Sequence, residues 1–334
     1  MYNMSKGLTN IGNTCYMNSS LQCLLHLPIL SSDNKDLALD ITKKSNRSDF
    51  ELMKEWIRLY QKMWNDDEET VVDTRPIFME FLRRCQKEKV YFESFAQNDA
   101  QEFITLLIDF LHQSIKRKVR IEISGIPETE YDRIKIESIH SWKRFFESNY
   151  SYIINNFYSR MISFTSCPEC KYVTKNHEPI STITLTLEEE YNTLYDCLDE
   201  FTSETALDSD NSWKCDNCNQ SVCPHKKVTF WDLSSVLIFT VKQFRQGKKI
   251  NHHIDFPEYL KMGNYCMNLQ KDRLNYRLCG ICIHSGSLNG GHYYAMCKND
   301  QTNEWNIHND SSVSSTTIET VLKETPYCLF YTRD

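Results

Sequence analysis

Cys15 stands where an apolar run begins, in GNTCYMNSSLQCLLHL, Gly12 to Leu27. On a helix turning about 100° per residue, Asn18, Ser19, Gln22 and His26 share its side while Met17, Leu21 and Leu24 lie opposite. The apolar stripe predicts an anchored helix whose polar side aims the thiol into open space. Asn13 or Thr14 stands where an N-cap is expected, and Pro28 closes the run. A thiol at a helix N-terminus feels the positive end of the macrodipole, which favours thiolate, the form that attacks a carbonyl carbon. The alternative is a small packed hydrophobe, the reading given to Cys23.

Such a nucleophile needs an imidazole to take its proton and a third group to hold the ring. HSGSLNGGHYYAMCKN, 284–299, supplies His292 after Gly290 and Gly291. Of the nine glycines, Gly7, Gly12, Gly286, Gly290 and Gly291 lie in this segment and the Cys15 segment, where backbone must turn or approach closely. Asn289-Gly290 also fits a hairpin turn, which can itself present a histidine. In EWNIHNDSSV, 304–313, Asn309 or Asp310 could accept the imidazole Nδ1–H, although an Asn-Asp pair also enters ordinary turns.

A second sulfur pattern is CPEC at 167–170 and CDNC at 215–218. Cys167, Cys170, Cys215 and Cys218 can surround Zn²⁺ tetrahedrally at about 2.3 Å. The 44 residues between the pairs exceed ordinary finger spacing, so two separate hairpins clipped together are expected. Four cysteines leave no open position, which makes the metal structural. Cys223 and His225, in CPHKK, are rival ligands, read here as bystanders.

The elements that must position these groups differ along the chain. The N-terminal third has helical periodicity in SDFELMKEWIRLYQKMW, with Ser48 and Glu51 as a capping box, in RPIFMEFLRRCQKE and in NDAQEFITLLIDFLHQSI. After the break SGIPE, a further helix is expected over about 131–158, with Ile139, Trp142, Phe146, Tyr150, Ile153 and Phe157 inward. From Ser163 the texture turns to strands: STITLTL, SVLIFTVKQF, YRLCGICIHSG, HYYAMCKN, EWNIHND and YCLFYTR. The polar stretch 201–212 is expected to be a flexible loop. Helices first and strands later predict an α+β protein of two lobes with a cleft between them.

Composition narrows the class. The 334 residues, 40% hydrophobic and 25% charged, suit a globular protein, and the net charge of −7 argues against nucleic acid. Fourteen cysteines could form a secreted disulfide scaffold, but the start MYNMSKGLTN has no apolar leader and such scaffolds are short. No run reaches the roughly 18 apolar residues of a membrane helix. The expectation is a reduced protein inside the cell, cytoplasmic or nuclear, neither secreted nor membrane-spanning.

GLTNIGNTCYMNSSLQCLL, QNDAQEF, HSGSLNGGHYYA and EWNIHNDSSV together resemble the boxes of the ubiquitin-specific proteases, in the family's order and across essentially the whole chain. The resemblance implies a papain-like thiol isopeptidase that cuts after the C-terminal glycine of ubiquitin. Its fold would be α+β, with a helical thumb, an antiparallel β palm and zinc-bearing β fingers. As one catalytic domain over 1–334, it would place the thumb at about 1–120, the fingers at about 160–235 and the palm at about 121–159 and 236–334. Carried over by motif, Cys15 is the nucleophile, His292 the base, Asn309 the third member and Asn10 the oxyanion donor.

The third box usually reads Phe-Asp-Asp and here reads His308-Asn309-Asp310, so Asp310 could share the third role. The second box usually has Gln or His where Asn98 stands. The resemblance makes Asp99 and Glu102 contacts for ubiquitin's arginine-bearing tail, beside Tyr293, Gly290 and Gly291; Asp99 and Glu102 also fit a helix cap. It implies ubiquitin and its conjugates as partners, together with a targeting or activating protein. A rival class is a ubiquitin-binding scaffold that keeps the fold without turnover.

Overall fold

The computed structural model describes residues 6–31, 35–42, 49–64, 69–245, 248–250, 252–267, 273–287 and 290–334. Ser48 of the expected capping box and Asn289 of the expected hairpin turn lie outside them.

The N-terminal block is helical, as its periodicity predicts. α1 (Cys15–Leu25) is central, flanked by α2 (Lys35–Thr42), α3 (Glu51–Trp64), α4 (Arg75–Glu88) and α5 (Ala100–Ile115). α3 buries Leu52, Met53, Trp56, Leu59 and Met63 along one side, and α4 buries Ile77, Phe78, Phe81, Leu82 and Cys85. Phe81 meets Phe92, Phe103 and Phe110 with ring centroids 5.0, 4.8 and 5.6 Å away. Each such buried ring stabilises the block by about 1.5–3 kcal/mol relative to exposure.

The single helix expected over 131–158 is two. α6 (Glu130–Phe146) and α7 (Tyr152–Phe157) are parted because Tyr150 exchanges backbone hydrogen bonds with Arg117, at 2.7 and 2.9 Å. Ser151 then restarts the chain as N-cap, its Oγ accepting from Ile154 N at 3.2 Å. Phe146, Ile153 and Phe157 are buried as expected, whereas Ile139, Trp142 and Tyr150 are only partly covered.

β1 (Gly7–Leu8) and β2 (Val71–Val72) form a small parallel pair beside the helices. β3 (Ser159–Ser166) and β4 (Val173–Ile180) form a long hairpin, and β5 (Ile183–Thr186) leaves it for another sheet. After α8 (Leu194–Thr202) come β6 (Glu204–Ala206), the short hairpin β7 (Trp213–Lys214) and β8 (Ser221–Val222), and then β9 (His225–Asp232). Stretch 201–212 is therefore no free loop. It holds β6, paired with β9, and a 3₁₀ turn capped where Asp208 Oδ1 accepts from Asn211 N at 3.2 Å. The small sheet runs β4-β3-β9-β6.

The C-terminal half builds the large sheet. It contains β10 (Val236–Lys242), followed by a minor pair, β11 (Phe244–Arg245) and β12 (Lys248–Lys249). β13 (Tyr259–Lys261), β14 (Asn275–Ser287), β15 (Gly290–Lys298), β16 (Trp305–Asn309), β17 (Ser312–Thr316) and, after α9 (Ile318–Val321), β18 (Cys328–Arg333) complete it. Its order is β17-β16-β15-β14-β18-β10-β5, with β13 added to β14. All six apolar runs singled out in the sequence fall on these strands. One apolar cluster joins α1, α3, α4 and α5 to one face of this sheet, and a second covers the other face under α8 and α9. The result is the expected α+β architecture, with α1 packed directly on β14, β15 and β16.

Candidate active site

Three segments meet at the N-terminal end of α1. Gly7 makes their approach possible: a Cβ there would lie 2.3 Å from the carbonyl oxygen of Ser311. Leu8 N donates to Asp310 O at 2.8 Å, so the strand preceding Cys15 is fastened to the turn after β16. β15 lies between β14 and β16, and the hairpin with β14 pairs Ser285 with His292. Gly291 must be glycine for contact reasons, since a Cβ would lie 2.2 Å from His284 Nε2.

Cys15 begins α1 and is 5% exposed. Neither expected cap is made. Thr14 occupies the N-cap with no side-chain bond to the helix, its Oγ1 donating instead to Asn10 Oδ1 at 3.2 Å. Asn13, at φ 53, turns away and donates from Nδ2 to Phe95 O at 3.0 Å. Backbone amides of the first turn are thereby left facing the sulfur.

Burial pushes the Cys15 thiol above its ordinary pKa; the Tyr293 amide pulls it down, the Asp310 carboxylate raises it, and the Tyr16 and Cys15 amides pull it down. The expected thiolate bias is thus present but outweighed by desolvation, and the resting group is a thiol. The polar side of α1 is also not open. Every α1 residue is buried, with Gln22 Nε2 donating to Lys6 O at 2.8 Å and the Asn18 amide turned to Asp310.

His292 is half-buried, next to the residue whose amide acts on the sulfur. Its Nε2 lies 2.6 Å from Asn309 Oδ1. The sequence reading put the orienting bond on Nδ1; the structure puts it on Nε2. Nδ1 is left for the thiol, although no hydrogen bond joins His292 to Cys15 in this state.

Asp310 does not orient the ring. At φ 49, its backbone turns the carboxylate to accept from Asn10 Nδ2 at 2.9 Å and from Asn18 Nδ2 at 2.8 Å. Asn10 Oδ1 accepts from Gly12 N at 3.0 Å and Thr14 N at 3.3 Å, which fixes the loop before Cys15. The second hydrogen on Asn10 Nδ2 remains for the groove.

Asp99 is the N-cap of α5, accepting from Gln101 N at 2.6 Å and Glu102 N at 3.2 Å. Its other oxygen accepts from the Tyr327 hydroxyl. Glu102 is exposed one turn on, its carboxyl raised by partial desolvation and by Asp99. Tyr293 offers no side chain to a partner: its ring is 8% exposed, against His284 and Tyr327, and only its amide reaches the site. Gly290 and Gly291 line the rim, where Gln97 Nε2 donates to Gly291 O at 3.3 Å. Gln97 and Asn18 received no role from the sequence. Gln97 opens the QNDAQEF box and Asn18 shares the polar side with Cys15, but neither signal names a partner.

The four CxxC cysteines meet at the far end of the small sheet. Cys167–Cys170 forms the β3–β4 turn and Cys215–Cys218 the β7–β8 turn, so two hairpins are clipped together as expected. Each turn repeats one fold: Lys171 N bonds Cys167 O at 3.0 Å and Asn219 N bonds Cys215 O at 2.8 Å, with φ 61 and 59 at the residue after the second cysteine. The sulfur atoms lie within 4.8 Å of one another, Cys167 to Cys218 at 3.9 Å and Cys170 to Cys215 at 3.6 Å. These bracket the edge of about 3.8 Å that a tetrahedron with 2.3 Å metal–sulfur bonds requires. The set can hold a metal ion. Exposed Cys223 and His225, which pairs with Glu204 at 3.1 Å, stand outside it.

A thiol at a helix start, an imidazole on a neighbouring strand and an amide holding that imidazole form the constellation of a thiol hydrolase. The family model described as ubiquitin carboxyl-terminal hydrolase matches residues 6–331, and the chain belongs to that family. It is 30% identical over 334 residues to bovine ubiquitin carboxyl-terminal hydrolase 2, covering 97% of this chain and 54% of the relative. The chain therefore spans about half the length of that curated relative. A chain of the SAGA DUB module Ubp8/Sgf11/Sus1/Sgf73 bound to monoubiquitin matches with TM-score 0.75 and 26% identity, over 98% of this chain and 69% of that one. The same module bound to ubiquitin aldehyde matches with TM-score 0.72 and 27% identity, over the same shares. The fold is that of the ubiquitin-specific protease catalytic domain, with mixed helices and antiparallel sheets.

Proposed function

We propose that the protein is a thiol-dependent deubiquitinating enzyme that hydrolyses the bond after ubiquitin's C-terminal glycine. The observation that carries this reading is the 2.6 Å bond from His292 Nε2 to Asn309 Oδ1 on the strand whose next amide acts on Cys15. That bond fixes the tautomer with Nε2–H toward Asn309 and a lone pair on Nδ1. Nδ1 takes the Cys15 proton as sulfur attacks the glycine carbonyl, and the imidazolium is held through Nε2–H. The Cys15 amide and the second Asn10 Nδ2 hydrogen stabilise the oxyanion, a donor of this kind being worth about 3 kcal/mol. The imidazolium then gives its proton to the departing amine. Water, deprotonated by the same ring, releases the acyl group from sulfur.

Asp310 acts behind the site, holding Asn10 and Asn18 in place. The exposed carboxylates of Asp99 and Glu102 suit the arginine-bearing tail of ubiquitin, which would pass Gly290 and Gly291 on its way to Cys15. Helices of about 1–120 serve as thumb, the small sheet and its cysteine tip (about 160–235) as fingers, and about 121–159 with 236–334 as palm. Zn²⁺ at Cys167, Cys170, Cys215 and Cys218 would supply a structural clip and no chemistry. All fourteen cysteines are free, which supports a reducing intracellular setting, and no helix among the described residues is long and apolar enough to cross a membrane. The partners are ubiquitin conjugates and, by analogy with the multi-subunit SAGA module, an activating protein.

Ubiquitin carrying a C-terminal electrophile tests the assignment. It should label the wild type covalently and leave Cys15→Ser unlabelled; equal labelling of both removes Cys15 from the mechanism. Failure to turn over a fluorogenic ubiquitin substrate, with binding retained, would favour the scaffold class instead.

A further inference from the structure

Beneath the groove lies a second group of donor atoms that the chemistry above does not use. His26, Cys297 and His308 are 4%, 0% and 1% exposed, and one ligand atom from each lies within 4.8 Å of the others. His26 follows the last turn of α1, where its Nδ1 lies 2.8 Å from Gln22 O. A carbonyl can only accept, so Nδ1 carries the hydrogen and Nε2 the lone pair. That Nε2 is buried with no hydrogen-bond partner. Both ring nitrogens of His308 likewise lack a well-formed hydrogen bond, with the Lys6 backbone as a polar neighbour. A buried polar atom left unmatched costs about 1–3 kcal/mol, and here one nitrogen from each ring lies within 4.8 Å of the Cys297 sulfur.

The strands explain the convergence. Ala295 pairs with His308, so Cys297 and His308 lie diagonally on the same face of β15 and β16, the face on which α1 packs. Cys23, one turn before His26, places its sulfur 3.8 Å from Cys297 Sγ, but it stands outside the set of atoms that lie within 4.8 Å of one another and would have to turn toward the rings to join it. The carbonyl bond on His26 Nδ1 is what metal-bound histidines use to set their tautomer. A cavity of about 320 Å³ reaches His26 and is lined also by Trp64 and Asp300.

We propose that His26 Nε2, Cys297 Sγ and an imidazole nitrogen of His308, completed by Cys23 Sγ once its side chain turns toward the rings, bind one divalent cation, with Zn²⁺ the match for a tetrahedral set of two sulfurs and two nitrogens. Binding releases the two thiol protons to solvent and fills the unmatched imidazole nitrogens. The segments clamped are those that carry the reactive groups: α1 begins at Cys15 and is capped by His26, β15 bears His292 and Cys297, and β16 bears Asn309 beside His308. The metal would hold the floor of the groove together without touching the reaction.

The test is metal analysis of full-length protein reconstituted with Zn²⁺ alone, combined with zinc K-edge absorption. Wild type should carry two zinc ions per chain, with nitrogen and sulfur in the combined first shell at about one to three. His308→Phe should carry one zinc with an all-sulfur shell. Cys167→Ser/Cys170→Ser should also carry one, now with a mixed shell, which separates this site from the fingers. A wild type with a single zinc in an all-sulfur shell overturns the proposal, and so does a His308→Phe variant that keeps two. Where a variant fails to fold by circular dichroism, the wild-type count and shell still decide.

Discussion

The finger tip and the groove both depend on cysteine, but they are assembled in opposite ways. At the tip, two hairpins each bring sulfurs three positions apart in turns of near-identical geometry, and the set is complete within residues 167–218. In the groove, one sulfur lies beside the amide of Tyr293, 278 positions later and next to His292, and the arrangement depends on Gly7 lying against Ser311 and on Asp310 bonding two asparagines. Local assembly tolerates much change elsewhere but fails when one ligand is lost. Long-range assembly is spread over many contacts, so single changes should damage chemistry before they damage folding.

The largest effect expected from this contrast is at Cys15. Cys15→Ala should lower kcat on a fluorogenic ubiquitin substrate by at least about 10⁴-fold, with the thermal midpoint within a few degrees of wild type. A large drop in midpoint would show the groove to be structural like the tip. Next in size is Asn309→Ala, which leaves His292 Nε2 without its acceptor and should cost about 10²-fold in kcat at nearly unchanged KM. Asn309→Asp should retain most activity, since it keeps the acceptor and adds charge beside the imidazolium. A loss confined to KM would move Asn309 out of the orienting role.

At the tip, Cys215→Ser should abolish metal binding by the four-cysteine set and lower activity by only about tenfold, through disorder of that tip rather than of the reacting groups. Unchanged metal content would break the local half of the comparison. The smallest effect belongs to neither region. His112, buried beneath α7 with Nδ1 2.8 Å from Ser151 Oγ, has its pKa lowered from 6.5 to about 4 by burial. The unfolded chain therefore binds the extra proton first, so the stability due to this group is complete above about pH 6.5 and is lost as pH falls toward 4. It amounts to about 3 kcal/mol. Urea unfolding across that window should show the slope, and His112→Gln should flatten it; an equal slope in both proteins would assign the acid sensitivity elsewhere.

Legibility in the sequence follows the same division. The CxxC pairs, the helices α3, α4 and α5, and the strands carrying His292 and Asn309 could be read because spacing and periodicity are local properties. Cys15 and His292 could be paired because each needs the other chemically. What could not be read depends on contacts between distant segments. Tyr150 leaves its helix for Arg117, Asn18 turns to Asp310, and the polar side of α1 is buried against strands from the other half of the chain. The sign of the Cys15 shift failed for the same reason: the helix start can be seen in the sequence, but the burial that outweighs it cannot.

The position of β18 has a consequence for how the molecule is made. This strand, ending at Arg333, lies between β14 and β10, in the middle of the large sheet. Until it has left the ribosome, two apolar strands face each other across a gap, and the groove floor has no fixed curvature. The sheet beneath α1 therefore closes only after residues 328–333 have paired, a late and long-range step before which the edges of β14 and β10 are open to association.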